Sequence, residues 1–471
     1  MWRVALQKEL IELRRDGRLR ALVLIGAALM LSSTLLGYYS FQTMAEQHRL
    51  AQARSHAQWL EQGSKNPHSA AHFGIHAFRQ PSPLSVFERG LLSYSGASVF
   101  LEAHKQNLPV HATAQDSTLA RRLGEWAPAN VSQTLLPLMC VLFMFGAVAH
   151  EREQGSLHLL RSLGSPLQPV AWAKLCAAGL ALTAAVLPGA LVGTGLAMNQ
   201  GSFTFDLVKK AIALGLAYGL YLLCFLALCL AGSMRARTAR QALVCLLGLW
   251  MAWVVVLPKA VTNAAANAHP LPRWAEIEHR LAADQGLVAD SERPHDERMA
   301  GLLRETLAKH GVADEADLPF NFNGTRLIAG ESWADAVFDE HFGKLYRAYR
   351  AQDTAVRRAG WLVPILALRS LSMDLAGTGL ADELAFRRAA EAHRRDLVLR
   401  MNKAVLDHQD DHLIADETLW STVPPFEYSP PSALSVLGHH AGDLAALALW
   451  ATIGLLAVYS AARNLEHEAS R

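Results

Sequence analysis

Residues 211–234 read AIALGLAYGLYLLCFLALCLAGSM, running from Ala211 to Met234 without one charged side chain. About 20 such residues are what an α-helix needs to cross the hydrocarbon core of a bilayer, so this stretch sets the class of fold. Five more windows of the same kind occur: Ala21 to Ser40, Val131 to Ala149, Leu175 to Phe205, Gln241 to Pro258, and Leu444 to Ala462. The composition agrees. Of 471 residues 51% are apolar and only 18% charged, against roughly 25% charged in an ordinary soluble chain. We expect an all-α polytopic membrane protein with six transmembrane helices and a large, mainly helical outer domain built from two insertions. A net charge of +2 offers no basic stripe for nucleic acid. The apolar content excludes disorder.

The windows organise the chain. An amphipathic helix is expected over 1–20 and spans over 21–40, 131–149, 171–198, 207–232, 241–258 and 444–462. Between them lie a short helix within 150–170 and a loop at 233–240. Residues 41–130 and 259–443 are the insertions, and 463–471 is a tail. Asn199-Gln200-Gly201-Ser202 reads as a turn that makes spans three and four a hairpin. Gly189 and Gly193, then Gly215 and Gly219, carry small residues at the spacing that allows close helix approach, which ordinary glycine frequency in membrane helices explains as readily. Pro137 and Pro188 fall inside spans, where each removes a backbone hydrogen bond and predicts a kink.

Orientation follows the lysines and arginines at the span ends. Arg3, Lys8, Arg14, Arg15, Arg18 and Arg20 precede span one, and Arg235, Arg237 and Arg240 follow span four. The N-terminus is therefore expected in the cytoplasm, and six spans return Arg463 and Arg471 to the same side. Both insertions then lie outside. Glu9, Glu12 and Asp16 interrupt the basic N-terminal segment, which favours an uncleaved anchor over a cleaved signal. Between Lys259 and Glu427 stand 20 Lys/Arg against 27 Asp/Glu, a mildly acidic outer segment. Ala381 to His408 shows helical periodicity, with Leu384, Ala385, Leu397, Val398, Met401 and Val405 at helical intervals among charges, and Asp410 and Asp411 ending it. Met44 to Glu61 reads as a helix continuing out of span one. Val423-Pro424-Pro425-Phe426 and Pro430-Pro431 read as an extended lead into the last span.

Much familiar chemistry is missing. There is no Walker A cradle for nucleotide phosphates, no HExxH and no GxSxG elbow, so no enzyme activity is expected of this chain. Cys140, Cys176, Cys224, Cys229 and Cys245 all sit in apolar runs, which suits packing or lipid contact rather than disulfides or zinc. Twenty histidines include His68, His72 and His76 at four-residue spacing, and His408 with His412 beside Asp411. Pro67 and Gly74 argue against one regular helix through the first group. The expectation is no metal centre, with His408 and His412 the residual candidates.

The most specific local string follows span two: Glu151-Arg152-Glu153-Gln154-Gly155-Ser156-Leu157-His158-Leu159-Leu160-Arg161-Ser162. Composition alone makes it a charged turn. A short amphipathic helix could also lie at the interface there, with Leu157, Leu159 and Leu160 on its apolar side and its charges toward a partner. The string resembles the E-R-E-x-G-(S/T)-L-x-x-L coupling element of type-2 ABC exporter permeases. Lys8-Glu9-Leu10-Ile11-Glu12-Leu13-Arg14-Arg15-Asp16 resembles the connecting helix that precedes their first span. Asn66 to Gly74, Phe100 to Asn107 and Leu371 to Thr378 are similar to strings of the subgroup with large periplasmic domains, akin to gliding-motility and nitrous-oxide-reductase-maturation permeases.

The resemblance implies an inner-membrane permease that pairs with a second copy or a paralogue. A separate ATPase subunit would bind ATP and Mg, leaving this chain without a cofactor of its own. Glu151, Arg152, Glu153, Gly155, Ser156, Leu159 and Leu160, with Lys8, Glu9 and Arg14, are the implied coupling residues. Glu151 and Glu153 would be anchors or partner contacts, and Arg152 an ion-pair member. Typical members carry a short re-entrant helical pair between spans five and six, where this chain has residues 259–443. No charge lies inside any window, which disfavours an ion path and fits apolar or amphipathic cargo. The rival expectation is a non-exporting mechanotransmission or metalloenzyme-maturation module that acts on an envelope partner through its outer domain. Membrane lipid is a partner under both.

Overall fold

In a computed structural model, residues 2–110, 127–162, 164, 166–198, 204–285, 292–410 and 412–467 are described. The expected turn at Asn199 to Ser202, Asp411 and Arg471 lie outside them. The chain is mainly helical and six helices are long and apolar enough to cross a membrane: Gly17–Leu60, Pro128–Glu153, Leu167–Leu196, Phe205–Arg235, Ala239–Ala268 and Ala441–His467. It is a multi-pass membrane protein. Each charge-free window falls within one of these helices, apart from the tail of the third.

In chain order the elements are α1 (Trp2–Arg15), α2 (Gly17–Leu60, span one), α3 (Pro67–Phe73), and strands β1 (Ile75–Phe78), β2 (Ser98–Glu102) and β3 (Lys105–Gln106). Span two holds α4 (Leu136–Met144) and α5 (Ala149–Glu153), and α6 (Ser156–Ser162) leads to α7 (Leu167–Met198, span three) and α8 (Phe205–Arg235, span four). Span five is α9 (Ala239–Trp250) with α10 (Leu257–Ala268). The second insertion contributes α11 (Trp274–Asp284), α12 (Glu292–His310), α13 (Phe322–Ala359), α14 (Pro364–Leu375), α15 (Leu380–Leu406) and α16 (Ala433–His439), before α17 (Ala441–His467, span six).

Local chemistry explains the boundaries. Asp16 caps α2 by accepting from the amides of Arg18 (2.8 Å) and Leu19 (3.3 Å), and Thr204 and Thr238 cap α8 and α9 in the same way. Pro137 and Pro258 each follow a π-turn, over Val131–Leu135 and Met251–Val256. Widening the turn relieves the clash between the proline ring and the preceding carbonyl, so the predicted irregularity at Pro137 takes this form. Pro188 sits inside an unbroken α7.

Spans two to six share one apolar core, and α14 enters it from the second insertion through Ile365, Leu366, Leu368 and Leu371. Polar side chains seat that helix. Ser372 Oγ donates to Glu88 (2.9 Å), Gln133 Nε2 donates to Tyr218 Oη (2.7 Å), and Arg369 Nε donates to Gln133 (3.0 Å). The glycine reading needs a correction. Gly189 and Gly193 face Met30 and Thr34 of span one, whereas a Cβ on Gly215 or Gly219 would meet nothing. The tight pairs are span three with span one and span four with span six, so the sequence neighbours three and four are not the intimate pair.

The insertions build a second core outside the bundle. As expected, α2 continues to Leu60 and α15 is a long helix. Trp59 near the end of α2 is fully buried there, donating Nε1 to the carbonyl of Trp420 at 2.9 Å. A small antiparallel sheet, β1-β2-β3, was not foreseen; its register pairs Ile75 with Leu101 and Glu102 with Lys105. The cysteines form no disulfide, three being buried and two exposed.

Candidate functional site

Helix α4 of span two ends at Met144, and the turn after it is held by one hydroxyl. Ser233 Oγ accepts from the amides of Val148 (3.1 Å) and Ala149 (3.2 Å) and donates to the Phe145 carbonyl (2.9 Å). The chain then forms α5, reverses at Gly155 with φ +78, and forms α6. Glycine takes that left-handed conformation at no steric cost. Ser156 Oγ donates back to the Glu151 carbonyl (3.2 Å), closing the corner.

Each charged residue of α5 grips a different helix. Glu151 Oε1 accepts from Lys174 Nζ of span three at 2.8 Å and from Lys8 Nζ of α1 at 3.1 Å. Glu9 Oε1 accepts from the same two ammonium groups, at 3.0 and 3.1 Å. Two cations and two anions thus alternate around one knot, with Lys174 only 4% exposed. A buried charge in this setting is tolerable only because it is paired. Burial works against the Lys8 ammonium, but Glu151 and Glu9 outweigh it and raise its pKa above the ordinary lysine value.

Arg152 behaves differently from the expectation. Its guanidinium donates to the carbonyls of Met234 (2.7 Å) and Ala236 and so completes the C-terminal end of span four. Those carbonyls lack helical partners, which is why a bidentate donor rather than an ion pair suits the position. Glu153 Oε1 accepts from the amide of Ala239 at 3.1 Å, at the first turn of span five, where free amides and the helix dipole favour a negative group. Its other oxygen lies 3.2 Å from His150 Nδ1. One five-residue helix therefore holds α1, span three, span four and span five.

The apolar side of α6 also differs from the sequence reading. Leu157 is buried and Leu160 half-buried, but Leu159 is 61% exposed, because consecutive helical positions turn through about 100° and cannot share one face. Arg14 is exposed on α1. Two contributors were missed. Lys174 lies one residue before the third charge-free window, and Glu466 caps span three from the end of span six by accepting from the amides of Leu167 (2.7 Å) and Gln168 (3.2 Å). His408 and His412 are exposed after α15, far along the chain from this knot.

Comparison with known proteins bears on this end of the molecule. The family described as ABC-2 family transporter protein matches residues 3–284, which include α1, α5, α6 and five of the six spans. Residues 274–429 match a domain of unknown function (DUF3526). No curated protein and no solved structure matches the chain.

Proposed function

The chain belongs to the ABC-2 family of transporter proteins, and on that premise we propose that it is the permease subunit of an exporter powered by a separate ATPase docked at α1, α5 and α6. The observation that carries the reading is the α5 knot. Displacing one short helix pulls on α1 and three spans at once, through buried ion pairs and helix-end hydrogen bonds. Exposed Leu159 supplies an apolar contact at the outer face of α6.

In this reading α1, α5 and α6 face the cytoplasm of a bacterium, the insertions face the periplasm, and the permease works as a dimer with itself or a paralogue. ATP and Mg belong to the partner. Spans without midplane charge suit an apolar or amphipathic cargo.

One observation favours a second reading, in which ATP hydrolysis moves the outer domain without moving cargo. α2 runs unbroken from Gly17 to Leu60, about 66 Å at 1.5 Å per residue, and ends in the outer core at Trp59. A rigid rod of that length can carry motion from the knot to the insertions. Reconstituting the complex in vesicles separates the two. ATPase activity stimulated by a lipid-like cargo supports export. A stoichiometric envelope protein bound through residues 259–443, with no cargo stimulation, supports transmission.

A further inference from the structure

Three histidine rings meet on the outer domain, well away from the α5 knot. His68 and His72 are one turn apart on α3, and His104 occupies the turn between β2 and β3. His68 Nε2 lies 3.3 Å from His72 Nε2 and 3.1 Å from His104 Nε2. Short helix α3 begins at Pro67 behind the Asn66 cap and stops at Gly74, so the prolyl and glycyl residues that seemed to break the pattern leave the one turn that pairs His68 with His72. His76 falls on β1 instead.

The far sides of two rings fix their tautomers. His68 Nδ1 lies 2.9 Å from Asn402 Oδ1, and His104 Nδ1 lies 2.5 Å from Glu331 Oε1. An amide oxygen and a carboxylate only accept, so both Nδ1 atoms carry hydrogen. With both rings neutral, the two Nε2 atoms present lone pairs to one another at 3.1 Å, an arrangement that repels unless a proton or a metal cation lies between them. A second oddity points the same way. His104 has φ +62, the positive value found at a non-glycine among the described residues, in a two-residue hairpin turn that Asn or Gly would fill with less strain. The histidine is placed there at a conformational cost.

We infer that His68, His72 and His104 form a binding site for a divalent first-row transition ion of the zinc class, with a fourth position open to solvent. Two imidazoles on a tetrahedral ion at about 2.05 Å stand about 3.3 Å apart, close to the separations of His68 from His72 and from His104, and all three donor atoms lie within 4.8 Å of one another. All three donors are neutral nitrogens, which suit Zn, Ni and Cu(II) more than Ca or Mg. Asn402 and Glu331 orient the rings, as partners of metal-bound histidine ordinarily do. They come from α15 and α13, so the site joins the first insertion to the second.

The test uses the full chain in detergent, stripped with chelator and titrated with Zn2+, then with Co2+ for its visible spectrum. One equivalent should bind per chain, with Kd in the micromolar range or tighter, and Co2+ should give the strong absorption of a four-coordinate site. His72→Ala and His104→Ala, both at exposed rings, should each weaken binding at least 100-fold, while Glu331→Gln weakens it about 10- to 100-fold. The double variant H408A/H412A should bind like wild type. Melting of each metal-free variant checks its fold, and Glu331→Gln and His72→Ala give independent readings should His104→Ala fail to fold. No saturable equivalent in the wild-type chain, or an unchanged Kd in H72A, would overturn the assignment.

Discussion

Replacing Lys174 by methionine keeps the length of the side chain and removes its charge. Glu9 and Glu151 then face each other across a buried site with only Lys8 to neutralise them, and Lys8 is 44% exposed. Removing one partner from a buried ion pair costs about 3–5 kcal/mol, while a half-exposed pair returns at most about 1 kcal/mol. Even after that return, about 2–4 kcal/mol remains, which moves the equilibrium between docked and released α1 by roughly one and a half to three powers of ten. Hydrogen exchange reads this directly, as faster exchange of the amides of α1 with little change in span four. The double variant K174M/E9Q removes the orphaned carboxylate on α1 and should recover a large part of the protection. Unchanged protection of α1 in K174M would mean that apolar packing against α7, and not the knot, holds the helix in place.

Three further outcomes follow from the same structure. Glu153→Arg sets a cation against the first turn of span five and should lower ATPase stimulation in the assembled complex while leaving membrane insertion intact; wild-type stimulation would refute the role given to Glu153. Gly189→Val meets the Met30 carbonyl at 2.9 Å and should destabilise the pairing of spans one and three by about 1–3 kcal/mol, whereas Gly215→Val should stay within about 0.5 kcal/mol of wild type in detergent melting. His440 lies 2.7 Å from both Asp374 and Asp443, and although burial opposes its charge, these carboxylates raise its pKa above the ordinary 6.5. A raised folded value means that its stabilisation is full below about pH 6.5 and is lost as the pH rises past 6.5 and through the higher folded value. The Tm gap between wild type and H440Q should therefore be widest in acid and narrow in base, and a gap that does not vary with pH would refute the pairing.

The six spans were legible because crossing a bilayer demands a length of uncharged chain, and that demand is local in sequence. The α5 string was legible as an element for the same reason, but its work was not. Arg152 and Glu153 act on Met234 and Ala239, more than 80 positions away, and nothing in the string says that its charges close helix ends. Lys174 escaped because a search for uncharged windows stops at the first charge. The apolar run at Ile365 to Leu368 is too short to span a membrane and is cut by Arg369, so only packing shows that it joins the bundle. The histidine group was misread for a related reason: spacing suggested His76 as the third member, whereas the hairpin brings in His104, 36 positions from His68.

The most direct test of the account is a photo-crosslinker placed at Leu159, exposed on α6, with a control at Leu434, exposed on α16 in the second insertion. The account predicts that Leu159, and not Leu434, crosslinks to a subunit carrying a Walker A motif, and that Glu153→Arg weakens that product. An intact complex in which Leu159 captures no ATPase would contradict the claim that α5 and α6 receive the force of ATP hydrolysis.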